Sequence, residues 1–179
     1  MAVNRQTLLD LAPIEGMLSE KQYAHGVSYG LSEAGYDIRI KQDITFCKRP
    51  TCTNDLHNKI MHFRSSESEH NLWLPGRFTI ASAMERFQMP NTLTGLVKDK
   101  STWARRGLSV FNTVIEPGWE GFLTLELVYH GEEGLIIPAG SGIAQVIFEY
   151  NTDVVAYKGR YQGQKDEPVA AIRAETSVL

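Results

Sequence analysis

Ile115-Glu116-Pro117-Gly118-Trp119-Glu120-Gly121-Phe122-Leu123-Thr124-Leu125-Glu126-Leu127 decides how this chain is read. Pro117-Gly118 is turn chemistry, because proline presets φ and glycine accepts the left-handed region. Beyond the turn the side chains alternate. Leu123, Leu125 and Leu127 fall on one face, Phe122, Thr124 and Glu126 on the other, which is the period of a β-strand. A carboxylate in so apolar a strand is costly unless it has a task or a partner. Two readings stand side by side. Glu126 belongs to a solvated outer face, which periodicity alone favours, or it sits in a half-buried pocket with a raised pKa and moves a proton near neutral pH.

Working outward, the same texture recurs. Tyr36–Ile40 alternates, and Phe78–Met84, Leu93–Val97, Phe122–Val128 and Ile143–Tyr150 are further strand candidates. Pro75-Gly76, Pro90-Asn91, Pro117-Gly118 and Pro138-Ala139-Gly140 punctuate them. Many short strands at this spacing predict a mainly β fold, a distorted barrel or sandwich. Asn4 is the expected cap of a short helix running to Leu11, with Pro13 as its stop. Arg64–His70 reads as an exposed loop. No linker divides the 179 residues, so residues 1–179 are expected to form one domain, with 158–179 as a mobile, glycine-rich and polar tail.

Bulk properties exclude several classes. A formal net charge of -3 supplies no broad basic surface, so nucleic acid is not an expected partner. No apolar run approaches the roughly 20 residues that span a bilayer, and Met1–Leu11 lacks a signal-peptide core. No membrane partner and a cytoplasmic location are expected. Cys47 and Cys52 are the only cysteines, read as reduced thiols. Zinc-dependent nucleotide deaminases carry H-x-E followed by P-C-x-x-C. His130-Gly131-Glu132 matches the first half, but no cysteine follows it. His25, His57, His62 and His70 also lack ligand spacing. P-loop, G-x-G-x-x-G and G-x-S-x-G motifs are missing from the sequence.

Ser101 and Arg105 are four residues apart, which on a helix places them on one face. Lys100, Arg105 and Arg106 near that helix start suit a phosphate or carboxylate, although a solvated helix with a capping serine explains them equally. Trp119 is read first as core packing. Tyr157, Arg160, Tyr161 and Gln164 form a polar-aromatic group suited to folding over a nucleotide, or else a disordered tail.

Taken in order, these segments resemble the dCTP deaminase family within the trimeric dUTPase-like superfamily. The resemblance runs from Gly35 to Gln164. Ala34-Gly35-Tyr36-Asp37-Ile38-Arg39 is similar to the early strand motif of the superfamily. Pro75–Gly95, with Phe78, Glu85, Pro90 and Leu93-Thr94-Gly95, is similar to the segment leading into the helix. Ser101–Leu108 is similar to S-S-x-A-R-x-G-L, and Glu116–Glu126 to D-P-G-[WF]-x-G-x-[IL]-x-L-E. Ala156–Gln164 is similar to Y-x-[GR]-[KR]-Y-x-x-Q.

What the resemblance implies is a distorted β-barrel or jelly-roll of the dUTPase-like type with short helices. It implies a homotrimer whose sites lie between subunits, and zinc-free deamination of dCTP to dUTP and ammonia. Glu126 matches the catalytic glutamate, and Ser101 and Arg105 match groups that position water and stabilise charge. Lys100 and Arg160 match phosphate contacts, with Tyr157, Tyr161 and Gln164 closing the site. Glu116 falls near the deoxyribose, Trp119 is counted among the substrate-binding residues, and Asn112 and Thr113 lie in the loop that holds the base. Mg2+ is implied on the triphosphate, with no protein-held metal, and dTTP as an effector. Related dUTPases have an apolar residue where Glu126 stands, which favours deamination here. The chain departs from the family pattern in three places. Asp99-Lys100-Ser101-Thr102 replaces G-R-S-S. Glu116 replaces Asp, moving its carboxylate by about 1.5 Å. The span from Leu108 to Glu116 is about two residues short. A bifunctional enzyme that also makes dUMP and pyrophosphate, and a catalytically silent nucleotide-sensing or partner-binding relative, are the alternatives.

Overall fold

The computed structural model describes residues 2–47, 72–73 and 78–172. Cys52, His57, His62, His70, the Arg64–His70 loop, the Pro75-Gly76 turn and residues 173–179 of the expected tail lie outside the described residues. Among the described residues the chain order is β1 (Ala2–Val3), α1 (Arg5–Leu11), β2 (Lys21–Ala24), β3 (Val27–Leu31), β4 (Tyr36–Arg39), β5 (Ile44–Phe46), β6 (Leu72–Trp73), β7 (Phe78–Gln88), β8 (Leu93–Asp99), α2 (Ser101–Ala104), β9 (Leu108–Val110), β10 (Val114–Ile115), β11 (Glu120–Tyr129), β12 (Leu135–Ile137) and β13 (Gly142–Tyr150). The expectation of a mainly β fold with short helices holds.

The alternation in β11 is the alternation of burial. Leu125 and Leu127 are at most 1% exposed, while Glu126 and Phe122 on the opposite face are half-buried. β11 pairs antiparallel with β7 on one edge and β9 on the other. The larger sheet runs β10-β8-β13-β4-β3-β2. β13 is its hub, with β8 along one edge and β4, then β1, along the other. A third sheet, β12-β5-β6, closes one end and puts the Phe46 ring 5.2 Å from Tyr129. One core cluster gathers the inward faces: Ile38 and Ile40 from β4 and just beyond it, Phe87 from β7, Val146 and Phe148 from β13, and Leu125 and Leu127 from β11. A sheet this strongly one-sided must bury that face, and the layered barrel does so.

The corner between sheets lies where β7 parts from β11. Phe122 pairs with Arg86 but Thr124 with Ser82, so β7 carries two extra residues there. In that stretch Ala83 bridges Ile40, and the Lys41 amide donates to the Ser82 carbonyl at 2.9 Å. Glu85 is buried at this corner, 5% exposed. Its carboxylate accepts the Arg39 amide and the Arg39 Nε–H, each at 2.8 Å, and the Arg39 guanidinium lies 4.7 Å from the Tyr29 ring centroid. A buried carboxylate is tolerable only with such partners.

Elsewhere the structure extends or corrects local expectations. The strand candidates at 78, 93 and 122 run past their expected ends, because pairing with neighbours continues where apolar alternation stops, and the one at 143 begins one residue early, at Gly142, and ends as expected at Tyr150. α1 spans Arg5–Leu11, but the Asn4 side chain does not cap it. It donates instead to the Glu33 carbonyl at 2.9 Å. The helix ends one residue before Pro13, at Ala12 with φ 43°. No helix among the described residues is long and apolar enough to cross a membrane.

The corner pair yields a stability prediction. Arg39→Met strands a buried carboxylate and should cost about 3 kcal/mol or more, read from the midpoint of urea unfolding. Replacing Glu85 by Met as well should recover part of the loss. An unchanged midpoint for Arg39→Met would remove the pair from the list of structural supports.

Candidate active site

The outer face of β11 is not bathed in solvent, because the chain beyond β13 returns across it. Tyr157 donates its amide to the Pro117 carbonyl at 2.7 Å, and Gly163 donates to Glu120 at 2.9 Å. The Phe122 amide donates to the Gln164 carbonyl at 3.0 Å. Trp119 Nε1–H donates to the Tyr161 carbonyl at 2.6 Å, and the Val169 amide to Thr124 Oγ1 at 3.0 Å. Lys41 and Asp166 form an ion pair along the same segment. The close approach at Gln164 requires a glycine. Gly121 has φ 137°, and a Cβ there would fall 2.7 Å from the Gln164 nitrogen.

Between this returning segment and the sheet lies a cavity of about 450 Å³. Phe78, Ile80 and Leu123 form its apolar side, Thr113 to Glu116 one rim, and Trp119, Tyr157, Tyr161 and Gln164 another. Thr124 and Glu126 point into it from neighbouring outward positions of β11. Val169, Ala170 and Ala171 complete the roof. Such a mixture of apolar walls and few polar groups suits a small ligand.

Glu126 is held by β11 and by the Phe111 amide, which donates to its carbonyl at 2.9 Å. Its Oε2 is buried and makes no hydrogen bond among the described residues. Burial raises its carboxyl above the ordinary value of 4.5. A group so placed holds a proton more readily than an exposed glutamate and can exchange it with a ligand in the cavity. Of the two sequence readings, the pocket one describes its surroundings.

The sequence-derived site residues divide into two sets. Glu126, Glu116, Trp119, Thr113, Tyr157, Tyr161 and Gln164 share the cavity. Trp119 is 4% exposed and belongs to the core, and it also lines the cavity. Ser101, Arg105, Lys100, Asn112 and Arg160 are not on the cavity wall. Arg160 donates to the Ile172 carbonyl at 2.9 Å, and Asn112 is exposed beside Thr113.

Ser101 on α2 and Arg105, its C-cap, stand exposed between β8 and β9. The helix is one turn long. The amides of Ala104 and Arg105 donate to the carbonyls of Lys100 and Ser101 at 3.0 Å, and Gly107, with φ 87°, turns the chain away. Trp103 is its single buried residue and donates Nε1–H to the Gly142 carbonyl at 2.7 Å. With Trp103 inward, Ser101 and Arg105 face outward. The cavity wall therefore carries two carboxylates and no lysine or arginine among the described residues.

Sequence reasoning passed over Thr124 as a site residue, although its alternation with Glu126 marks it. It gave no sign of Val169–Ala171, because apolar residues in a polar tail carry no distinctive pattern. Among the described residues no group of three or more His, Cys, Asp or Glu is placed to hold a metal ion.

A family model described as dCTP deaminase-like matches residues 14–151. A dCTP deaminase of Acidobacterium capsulatum is 33% identical over 163 residues, covering 85% of this chain and 89% of its own. That of Helicobacter hepaticus is 32% identical over 181 residues, covering 92% and 95%. Among solved structures, the 2'-deoxycytidine 5'-triphosphate deaminase of Agrobacterium tumefaciens is similar with a TM-score of 0.55 at 17% identity, over 84% of this chain and 48% of that one. A Staphylococcus bacteriophage 80alpha dUTPase with dUpNHpp matches at 0.50 and 12% identity, over 89% and 95%. These two likenesses concern the fold, which is dUTPase-like.

The surroundings of Glu126 fix a sign for stability against pH. Its folded pKa is raised, so its ionisation opposes folding. That penalty is absent well below 4.5 and grows as pH rises through the raised value. Glu126→Gln should therefore melt higher than the parent at neutral pH, with the difference shrinking toward acid. Equal melting temperatures across that range would place the carboxylate in water.

Proposed function

The chain belongs to the dCTP deaminase family, and we propose that it converts dCTP and water to dUTP and ammonia without a protein-held metal. The observation that carries this reading is Glu126, a half-buried carboxylate with an unpartnered oxygen and a raised pKa, facing a cavity of nucleoside size. Glu126 takes a proton from water as the water oxygen bonds to cytosine C4. That proton goes to ring N3, giving a tetrahedral centre. The remaining proton on the new oxygen then travels by way of Glu126 to the amine, the C4–N bond breaks, and ammonia leaves with a C4 carbonyl behind it. Thiolate-held zinc has no donor set in this scheme, since no cysteine pair follows His130-Gly131-Glu132.

The chain's own residues share the remaining tasks. Thr113 on the rim, with Asn112 beside it, reads the base edge. Trp119 and Glu116 flank the deoxyribose. Tyr157, Tyr161 and Gln164 roof the nucleotide, and Arg160 turns from the Ile172 carbonyl to the phosphates, whose remaining negative charge Mg2+ bound to the triphosphate would offset. The segment that follows β13 covers the cavity of this one domain, tied down through Tyr157, Gly163 and Gln164. One chain alone does not complete the site, because Ser101 and Arg105 stand outside the cavity that holds Glu126. A second copy brings them, and a closed ring of three copies does so for every cavity. In that assembly Arg105 and Ser101 hold the attacking water and offset the charge that develops on it. Such an enzyme serves pyrimidine deoxynucleotide metabolism in the cytoplasm.

A bifunctional reading has one observation in its favour. Glu116 lines the same cavity as Glu126, which suits a second water directed at the phosphates. Pyrophosphate appearing in step with ammonia supports it, and dUTP accumulating without pyrophosphate rejects it.

Two mutational outcomes test the main reading. Glu126→Gln should bind dCTP but lose about a hundredfold or more in ammonia release, the usual worth of a placed acid-base group. Near-full turnover would take Glu126 out of the mechanism. Arg105→Ala should be comparably impaired. Co-expression of Arg105→Ala with Glu126→Gln should restore part of the activity, because a cavity from one and a helix from the other reconstitute an intact site. Mixed assemblies as inactive as either parent would contradict a site shared between chains. Tight dCTP binding without any turnover by the unaltered chain would mark a nucleotide sensor instead.

A further inference from the structure

The turn that carries Ser101 and Arg105 is too short to hold its own direction, so something else must aim it. Three ties do this. Asp99 Oδ1 accepts the Val110 amide at 2.7 Å. Trp103 donates to the Gly142 carbonyl at 2.7 Å. Between them Lys100, the N-cap residue of α2, sends Nζ inward to Asp37 Oδ2 on β4. The same oxygen accepts Ser28 Oγ–H from β3 at 3.2 Å. The Lys100 and Asp37 side chains are only 10% and 4% exposed.

The socket is built to a close fit. A Cβ on Gly142 would fall 1.9 Å from the Ser28 carbonyl oxygen and 3.5 Å from Lys100 Cε. Only a bare backbone fits beside the lysine stem. Withdrawing the ammonium would leave Asp37 buried without its cation, so the pair is anchored from both ends.

We propose that Lys100 is a positioning residue. Its buried pair with Asp37 fixes the start of α2 against β3 and β4, and so fixes the aim of Ser101 and Arg105 at a neighbouring copy's cavity. This rests on the deaminase reading of the site. It gives the lysine a task that differs from binding the nucleotide's phosphates, and the two tasks separate kinetically. A phosphate contact acts on substrate binding, whereas loss of aim acts on turnover.

The test uses the full chain carrying Lys100→Met, Asp37→Asn and both together, with Lys100→Gln as the substitute should the methionine variant fail to fold. Turnover and KM for dCTP are measured well below each melting temperature, and dCTP affinity by calorimetry in the Glu126→Gln background. Each single change should lower kcat by about tenfold to a hundredfold while KM and affinity stay within about threefold. The double change should be no worse than the poorer single one, as expected of one shared interaction. A KM raised about tenfold at retained kcat, with Asp37→Asn near the parent, would make Lys100 a phosphate ligand and overturn the inference. A lowered melting temperature with kcat intact would make the pair structural only and overturn it too. Absence of ammonia from the unaltered chain would defeat the deaminase reading itself, and this inference with it.

Discussion

The alternation of side chains along β11 governs the rest. Burying Leu125 and Leu127 in the core leaves no choice for Thr124 and Glu126, which must stand on the opposite face. That face would be ordinary wet surface but for the chain returning over it. Backbone bonds from Pro117, Glu120 and Phe122 to Tyr157, Gly163 and Gln164 hold the roof in place. The carboxylate is thereby placed in partial shelter, with its pKa raised by lost hydration rather than by a nearby charge. A hydrophobic constraint on one face thus sets an electrostatic property on the other.

The two buried charge pairs do related work at different places. Arg39–Glu85 sits where β7 leaves β11 to bridge the end of β4, and stitches one sheet to the other. Lys100–Asp37 sits where β8 gives way to α2. Both lie at points where regular pairing stops and the chain's direction is weakly specified by its own ladder. A pair that is costly to separate is an effective way to define geometry at such points. The cavity has the opposite electrostatic design. Its wall holds Glu116 and Glu126 and no lysine or arginine among the described residues, so the wall itself offers no cationic side chain to an anionic ligand.

Much of this was legible in the sequence, though unevenly. The long strands were readable because β7, β8, β11 and β13 carry alternating apolar residues bounded by Pro and Gly. Short elements such as β5, β9 and β10 were not, since two or three residues are too few to display a period. Asn4 shows a further limit. Its type fits a helix cap, but a carbonyl from Glu33, brought near only by folding, captures its amide. Of the residues lining the cavity, Glu126, Trp119, Tyr157 and Gln164 stood out through the family resemblance of their segments, whereas Val169–Ala171 did not, because nothing in a polar tail marks the residues that will pack.

By itself the sequence determined the class of fold and the chemical inventory. Period-two patterning requires strands, Pro-Gly and Asn turns delimit them, and alternation sets Glu126 on the face opposite the leucines without saying what covers it. Only the tertiary structure decided where that inventory ends up. It roofed the outer face of β11 and so sheltered Glu126, it turned Ser101 and Arg105 away from the cavity of their own chain, and it sent Lys100 inward to Asp37. The reason is physical. Local patterns report which face of an element seeks burial, while hydration, pairing and the meeting of distant segments exist only once the layers have packed.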